Sequence, residues 1–262
     1  MPRLVATLVA STVASFVLAV AASADPTGAA WTRDAMGFTA IFKMASAPFP
    51  HPSRAFTDDR VMLFVPAGYR SGPTVDLVIH YHGHRNEIVN SDKGHRYREQ
   101  VWLSKKNVVL VQPQGPVFAS DSAGGKHEDP NGLKKFVAEV LSVLAREGVV
   151  PNGATLGRLA LSGHSGAYRV MGRAIAQGGL EVSEVYLHDA LYGEIDTFEK
   201  WAKKAGHRFV STTTRNGGTW TNNEGLRTRL QAAGVAVATA EEPNVLAASS
   251  TFIIKTDVPH DP

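Results

Sequence analysis

The sequence contains no cysteine. Disulfide bonds, thiolate metal sites and a cysteine nucleophile are therefore excluded. The chain also has little excess of charge of one sign, because its formal net charge is only +3 and its cations are scattered. This argues against a nucleic-acid partner. Internal repeats and low-complexity tracts are absent, and beyond the N-terminus no apolar stretch reaches the length of a membrane-spanning helix.

The N-terminal residues 1–24 form the one long apolar stretch of the chain. A single early cation, Arg3, precedes uncharged apolar and small residues that end in Ala22-Ser23-Ala24. This pattern predicts a secretory signal peptide that is cleaved after Ala24 and leaves an exported domain, periplasmic or secreted, with no stable membrane insertion. The alternative is an N-terminal membrane anchor, since the stretch approaches the length of a spanning helix.

The remaining residues, 25–262, are predicted to form one α/β domain. Hydrophobic residues make up 44% of the 262 residues, which is enough for a single core. Short β-rich runs alternate with helical patterns, which predicts a mostly parallel central sheet with helices on both faces. The segments that contain predicted strands are 38–45, 60–69, 75–86, 107–116, 159–161, 184–193, 207–218 and 250–257. The predicted helices are about 94–106, 133–148, 166–179, 196–206 and 222–234.

One short motif, Gly163-His164-Ser165-Gly166-Ala167, stands where an apolar run gives way to a helical pattern. A nucleophilic serine on a sharp strand-to-helix turn needs small residues two positions before and two positions after it. Gly163 and Ala167 meet this requirement, although alanine replaces the last glycine of the usual G-x-S-x-G. The alternative is an ordinary turn in which Ser165 caps a helix.

A serine nucleophile also needs two backbone N–H groups that hold the oxyanion. One comes from the residue after the serine and the other from the loop after the third strand. Gly166 fills the first position. The segment "LVIHYHG" ends in His82-Gly83, and His84 is predicted as the second donor because glycine lets the backbone turn its amide toward the site.

Four motifs, "FVPAGY", "VDLVIHYHG", "VVLVQPQG" and "LSGHSGA", resemble the α/β-hydrolase superfamily in order and spacing. The resemblance is to its secreted esterase and polyester-depolymerase-like branches, and it covers most of the chain after residue 24. It implies the α/β-hydrolase fold and a serine hydrolase that needs no cofactor. It also implies a triad in the order serine, acid, histidine, with the acid after a late strand and the histidine after the last strand.

His260 lies directly beyond the last predicted strand and is the candidate base. The alternative is a surface histidine. The superfamily's commonest place for the acid is after the next-to-last strand, but here that strand runs into "TTTRNGG", which has no carboxylate. Asp189, which follows "VYLH" one strand earlier, is therefore the candidate acid. Asp257 and Asp261 compete for this role, but both are so close to His260 in sequence that reaching its ring is awkward.

The resulting prediction is hydrolysis of a carboxylic ester, on a small-molecule or polymer substrate, through Ser165, Asp189 and His260. Cleavage of an amide in peptide or cell-wall material is the runner-up, because the export signal favours such substrates. Tyr192, Trp220 and the loop 117–132 are candidate pocket walls, since they follow strands at the edge where the site should form.

Arg215 and Asn216, which follow the "FVSTTT" strand, are a candidate contact for a polar or anionic substrate group. An ordinary packed or solvated side chain is an equally good interpretation for each of them, as it is for Tyr192 and Trp220.

Two other classes of function remain open. His80, His82 and His84 alternate along a predicted strand and suggest a metal-dependent hydrolase. However, no H-E-x-x-H motif is present and no carboxylate lies among the three, so no metal ligand is assigned. The other class is a non-catalytic binding module that keeps a hydrolase fold. The sequence carries no indication of the oligomeric state.

Overall fold

The computed structural model describes residues 30–214, 217–239 and 251–261. The predicted signal peptide, residues 1–24, lies outside these ranges and stays a prediction. Within these three ranges, no helix combines the length and the apolar character that crossing a membrane requires.

A single sheet organises the fold, and within the described residues it has ten strands. The strands are β1 (Thr32–Arg33), β2 (Gly37–Lys43), β3 (Arg60–Pro66), β4 (Thr74–Tyr81), β5 (Val108–Pro113), β6 (Thr155–His164), β7 (Glu184–His188), β8 (Arg208–Thr214), β9 (Val237–Ala238) and β10 (Thr251–Thr256). Their spatial order is β1-β2-β3-β5-β4-β6-β7-β8-β10-β9. The first three pairs in this order are antiparallel and the other pairs are parallel. The predicted mostly parallel sheet is confirmed.

Helices cover both faces of this sheet. They are α1 (Ile88–His95), α2 (Tyr97–Ser104), α3 (Gly132–Arg146), α4 (Tyr168–Gln177), α5 (Ile195–Ala202) and α6 (Trp220–Ala232). The main core contains Phe136 of α3 and Met171 of α4 on one face. Tyr97 of α2 packs with Phe64 and Leu110 on the opposite face, because successive strand residues point to opposite sides.

One predicted helix, about 94–106, is wrong in its bounds. The structure has two helices there, α1 and α2, separated at Arg96, whose φ of 58° is left-handed and interrupts the helical path. The first of them begins before the predicted start, after Glu87, whose side chain accepts a 2.7 Å hydrogen bond from the Asn90 backbone N–H. The start of α1 was not predicted because the sequence of this helix has almost no apolar periodicity.

The loop 117–132 is held against the sheet by a buried histidine. It contains a short 3-10 helix, Gly125–Glu128, in which the ring of His127 is fully buried. Its Nε2–H donates to the Ser46 carbonyl oxygen (3.1 Å), so its Nδ1 accepts from the Tyr81 hydroxyl (2.9 Å). Burial lowers the pKa of His127 to about 3, and the ring is therefore neutral in the folded protein at neutral pH.

We expect the stability of the protein to fall with acidification because of this ring. Between the ordinary histidine pKa of about 6.5 and the folded value, the unfolded chain binds a proton that the folded chain does not. The contribution of His127 to the free energy of unfolding is thus fully present above about pH 6.5. It is lost as pH falls toward the folded pKa, by about 1.4 kcal/mol per pH unit for one such group. In His127→Gln, which does not titrate, urea unfolding from pH 8 to pH 4 should show a slope that is smaller by about this amount. An unchanged slope would contradict the assignment.

Candidate active site

Ser165 occupies a sharp turn between β6 and α4. Its φ of +51° is left-handed, which is uncommon for a residue other than glycine. A Cβ at Gly163 would lie 2.4 Å from Met171 Sδ and 2.7 Å from Ala167 Cβ. The turn therefore needs glycine at 163, and the methyl group of Ala167 fits because Gly163 has none.

A continuous chain of hydrogen bonds joins the serine to the two other predicted triad residues. Ser165 Oγ lies 2.9 Å from His260 Nε2. His260 Nδ1 lies 2.6 Å from Asp189 Oδ2. Since an ionised carboxylate only accepts, Nδ1 carries the proton, and Nε2 is free to accept the serine hydroxyl proton. The structure thus brings together three residues that are far apart in sequence, and it leaves the competitors Asp257 and Asp261 out of this chain.

Asp189 is held by two threonine hydroxyls in addition to His260. Thr214 Oγ1 donates to its Oδ2 at 3.2 Å, and Thr219 Oγ1 donates to Oδ1. Burial raises the pKa of Asp189, but the hydrogen bonds from Thr219, His260 and Thr214 together with the charge of His260 lower it more, so that its pKa lies below the ordinary value. The carboxylate is therefore ionised at neutral pH and suited to stabilise an imidazolium.

The loop after β4 lies directly against the serine turn. A Cβ at Gly83 would be 2.9 Å from Ser165 Cβ, and a Cβ at Gly166 would be 2.2 Å from the Cδ2 atom of the His84 ring. The His84 ring also reaches across the site, because its Nε2 lies 2.7 Å from Ser122 Oγ. The two predicted oxyanion residues, His84 and Gly166, are thus in contact with each other next to Ser165.

The three alternating histidines of the metal alternative do not converge. His80 Nδ1 lies 2.9 Å from Ser162 Oγ in the interior. His82 Nδ1–H donates to the Gly83 carbonyl oxygen (2.7 Å), and His84 bonds to the loop after β5, as described above. Burial lowers the pKa of His80 and of His82. The rings of His80 and His82 are therefore neutral at neutral pH. The three histidines have separate hydrogen-bond partners, and their geometry does not suit a shared ion.

The predicted substrate-contacting residues have different surroundings. Tyr192 is 41% exposed, and its ring meets that of His260 edge-on with a centroid distance of 6.3 Å. Trp220 lies under the Lys255 ammonium, 3.6 Å from Nζ to the ring centroid. Arg215 and Asn216 lie outside the described residues. Contact of any of them with substrate stays a prediction.

A narrow cleft of about 20 Å³ opens beside the serine turn. Its lining residues include Gly83, Gly115, Ser122, Gly166 and Val170. Such a volume is about enough for one water molecule.

Thr214 and Thr219 were not predicted as part of the site. The sequence prediction concerned only the carboxylate of the acid, and the hydroxyl-rich end of β8, "STTT", has none. The structure shows that this strand and the turn after it supply hydroxyl donors to an acid on the neighbouring strand. A run of threonines at the end of the strand was the signal that was available.

Several solved structures have a similar fold. The S-formylglutathione hydrolase from Agrobacterium tumefaciens matches with a TM-score of 0.52 and 10% sequence identity, over 89% of this chain and 92% of that one. The fluorophosphonate-binding serine hydrolase FphF from Staphylococcus aureus matches with a TM-score of 0.50 and 10% identity, over 85% of this chain and 91% of that one. The S-formylglutathione hydrolase FrmB from Staphylococcus aureus gives a TM-score of 0.50 and 10% identity, over 86% and 91%.

The fold is that of the α/β hydrolases. At this level of identity the likeness establishes the fold alone. No protein-family model matches the sequence, and no curated protein sequence matches it.

The close approach of Gly83 to Ser165 leads to a stability prediction. Gly83→Ala should lower the free energy of unfolding by about 1–3 kcal/mol, because the new methyl group overpacks a contact that is already closed. Gly225→Ala is the matched control, since a Cβ at Gly225 on α6 meets nothing within 4 Å, and alanine in a helix is favoured over glycine by about 0.5–1 kcal/mol. Urea unfolding measures both variants, and equal stability of Gly83→Ala and the parent would refute the packing argument.

Proposed function

We propose that this chain is a serine hydrolase that cleaves carboxylic esters with Ser165 as nucleophile, His260 as general base and Asp189 as the acid of the triad. The observation that carries the proposal is the hydrogen-bond chain from Ser165 Oγ through both ring nitrogens of His260 to Asp189. It is supported by the left-handed turn at Ser165, which exposes a nucleophile at the end of its strand.

The first half of the reaction acylates Ser165. As Oγ attacks the ester carbonyl carbon, its proton passes to His260 Nε2, and Asp189 stabilises the imidazolium through Nδ1–H. The carbonyl oxygen becomes an oxyanion, for which we assign the backbone N–H groups of His84 and Gly166 as donors. His260 then gives the proton to the leaving alkoxide, and the carbon–oxygen bond of the ester breaks.

Water completes the cycle by the same route. His260 takes a proton from water, the hydroxide adds to the acyl carbon, and Ser165 Oγ leaves with the proton returned from His260. The residues named here account for every proton transfer.

Carboxylic esters are the substrates that we favour. Two of the similar folds belong to proteins named S-formylglutathione hydrolase and one to a fluorophosphonate-binding serine hydrolase. The cleft beside Gly83 and Gly166 is small, which suits a short acyl group such as acetyl. An acetate ester of a chromogenic alcohol is therefore the substrate for a first assay.

Labelling of Ser165 by a fluorophosphonate tests the proposal. The folded protein should react covalently at Ser165, as mapped by mass spectrometry of the labelled peptide, and Ser165→Ala should not react. Ser162→Ala is the matched control, because this buried serine on β6 also contacts histidines but is closed to solvent. Absence of labelling of a folded chain would refute the proposed triad, and faster cleavage of the corresponding anilide than of the acetate ester would refute the preference for esters.

Replacing the proposed acid should leave the nucleophile in place but slow the reaction. In Asp189→Asn the amide donates to His260 Nδ1, so that the proton moves to Nε2 and the ring no longer accepts the proton of Ser165. We expect kcat for the acetate ester to fall by about 10³–10⁴-fold. Asp257→Asn is the control, because Asp257 is the nearby carboxylate that the structure leaves out of the chain. A larger effect of Asp257→Asn would show that the acid is assigned to the wrong residue.

A further inference from the structure

Three metal-binding side chains that take no part in the proposed triad meet beside it. They are His95 at the end of α1, His164 at the end of β6, and Asp261 in the segment after β10. Each offers one ligand atom, and these atoms all lie within 4.8 Å of one another. Within the described ranges no other group of three or more histidine and acidic side chains shares this spacing.

The two imidazoles of this cluster are fixed by packing. The His95 ring stacks on Tyr97 with a centroid distance of 5.3 Å and an interplanar angle of 21°. The rings of His95 and His164 lie 4.5 Å apart between centroids. His164 is buried, whereas Asp261 is exposed. The site therefore has two preset nitrogen ligands and one carboxylate on an exposed side chain, which can approach by rotation.

The separation of the ligand atoms is close to what a zinc ion requires. Bonds of 2.0–2.1 Å in tetrahedral geometry place neighbouring ligand atoms about 3.3 Å apart. The cluster needs to close by no more than about 1.5 Å at its widest point to reach this spacing. A set of two imidazoles and one carboxylate suits zinc and similar first-row ions, whereas calcium and magnesium prefer oxygen ligands alone.

The main chain of His260 offers a fourth ligand. His164 Nε2 lies 2.8 Å from the His260 carbonyl oxygen. This hydrogen bond has nearly the length of one edge of a zinc coordination tetrahedron, so that an ion could replace the shared proton and bind both atoms.

The triad does not compete for this ion. Both ring nitrogens of His260 already have partners, at 2.9 Å from Ser165 Oγ and 2.6 Å from Asp189 Oδ2. An ion bound by His95, His164 and Asp261 leaves these hydrogen bonds in place.

We propose that His95, His164 and Asp261 form a binding site for one divalent transition-metal ion, with Zn²⁺ as the representative. The ion ties the segment that carries His260 to the ends of α1 and β6. Its role is to position His260 through the main chain, and it takes no part in bond cleavage.

Zinc titration of the full chain tests this site without any substrate. Isothermal titration calorimetry with ZnCl₂ should give one ion per chain, and the thermal unfolding midpoint should rise on binding. His95→Ala and Asp261→Asn should each raise the dissociation constant for zinc at least about tenfold. His51→Ala is the matched control, because His51 pairs with Asp129 at 3.3 Å and is not a member of the cluster. This variant should bind zinc like the parent. Calcium chloride should give no binding at this site.

The same titration on Ser165→Ala separates this site from the proposed hydrolase activity. Unchanged zinc binding there is expected whether or not Ser165 is a nucleophile. The proposal is overturned if zinc does not bind, or if His95→Ala binds as tightly as the parent. It is also overturned if His260→Ala abolishes binding while His95→Ala does not, since the ion would then sit on the triad itself.

Discussion

The contact between the β4 loop and the turn at Ser165 constrains the rest of the site. Two backbone segments from neighbouring strands approach so closely that Gly83 has no room for a side chain, and Ser165 adopts a left-handed conformation. The cost of such a conformation is of the order of 1–3 kcal/mol, and it is maintained because the core fixes both strands. β4 and β6 pair along most of their length, so that the positions of Gly83 and Ser165 are set by the centre of the sheet.

The neighbouring strand, β7, repeats this arrangement at Asp189. Asp189 directly follows β7 and also has a left-handed φ, of 45°. Its backbone N–H donates to the Thr212 carbonyl oxygen on β8 (2.9 Å), which prolongs the sheet pairing past the end of the strand. Ser165 and Asp189, the proposed nucleophile and acid, thus lie at the carboxyl ends of adjacent parallel strands, where the crevice of an open α/β sheet lies. His260 arrives from the last strand and spans the gap between them.

Much of this architecture was predictable from the sequence, because alternating apolar runs and helical patterns are strong where a sheet is buried on both faces. The mostly parallel sheet and the strand-to-turn position of Ser165 follow from such patterns. The bounds of α1 were not predictable, because that helix depends on the Glu87 cap and has little apolar periodicity. The support of Asp189 by Thr214 and Thr219 was missed for a different reason. Hydroxyl groups at a strand end have many uses, and only the packing of β7 beside β8 shows which acceptor they face.

The placement of β10 determines how the arrangement of Ser165, His260 and Asp189 can be lost. Ser165 and Asp189 follow central strands, but β10 pairs fully with β8 on one side and over only two residue pairs with β9 on the other. Among the strands that precede Ser165, Asp189 and His260, β10 therefore has the fewest residue pairs in the part of the chain that the structure describes. Local opening at this edge separates the imidazole from the serine while the core stays folded. The fraction of molecules with an assembled site is therefore governed by fluctuations of one peripheral strand and is smaller than the fraction that is folded.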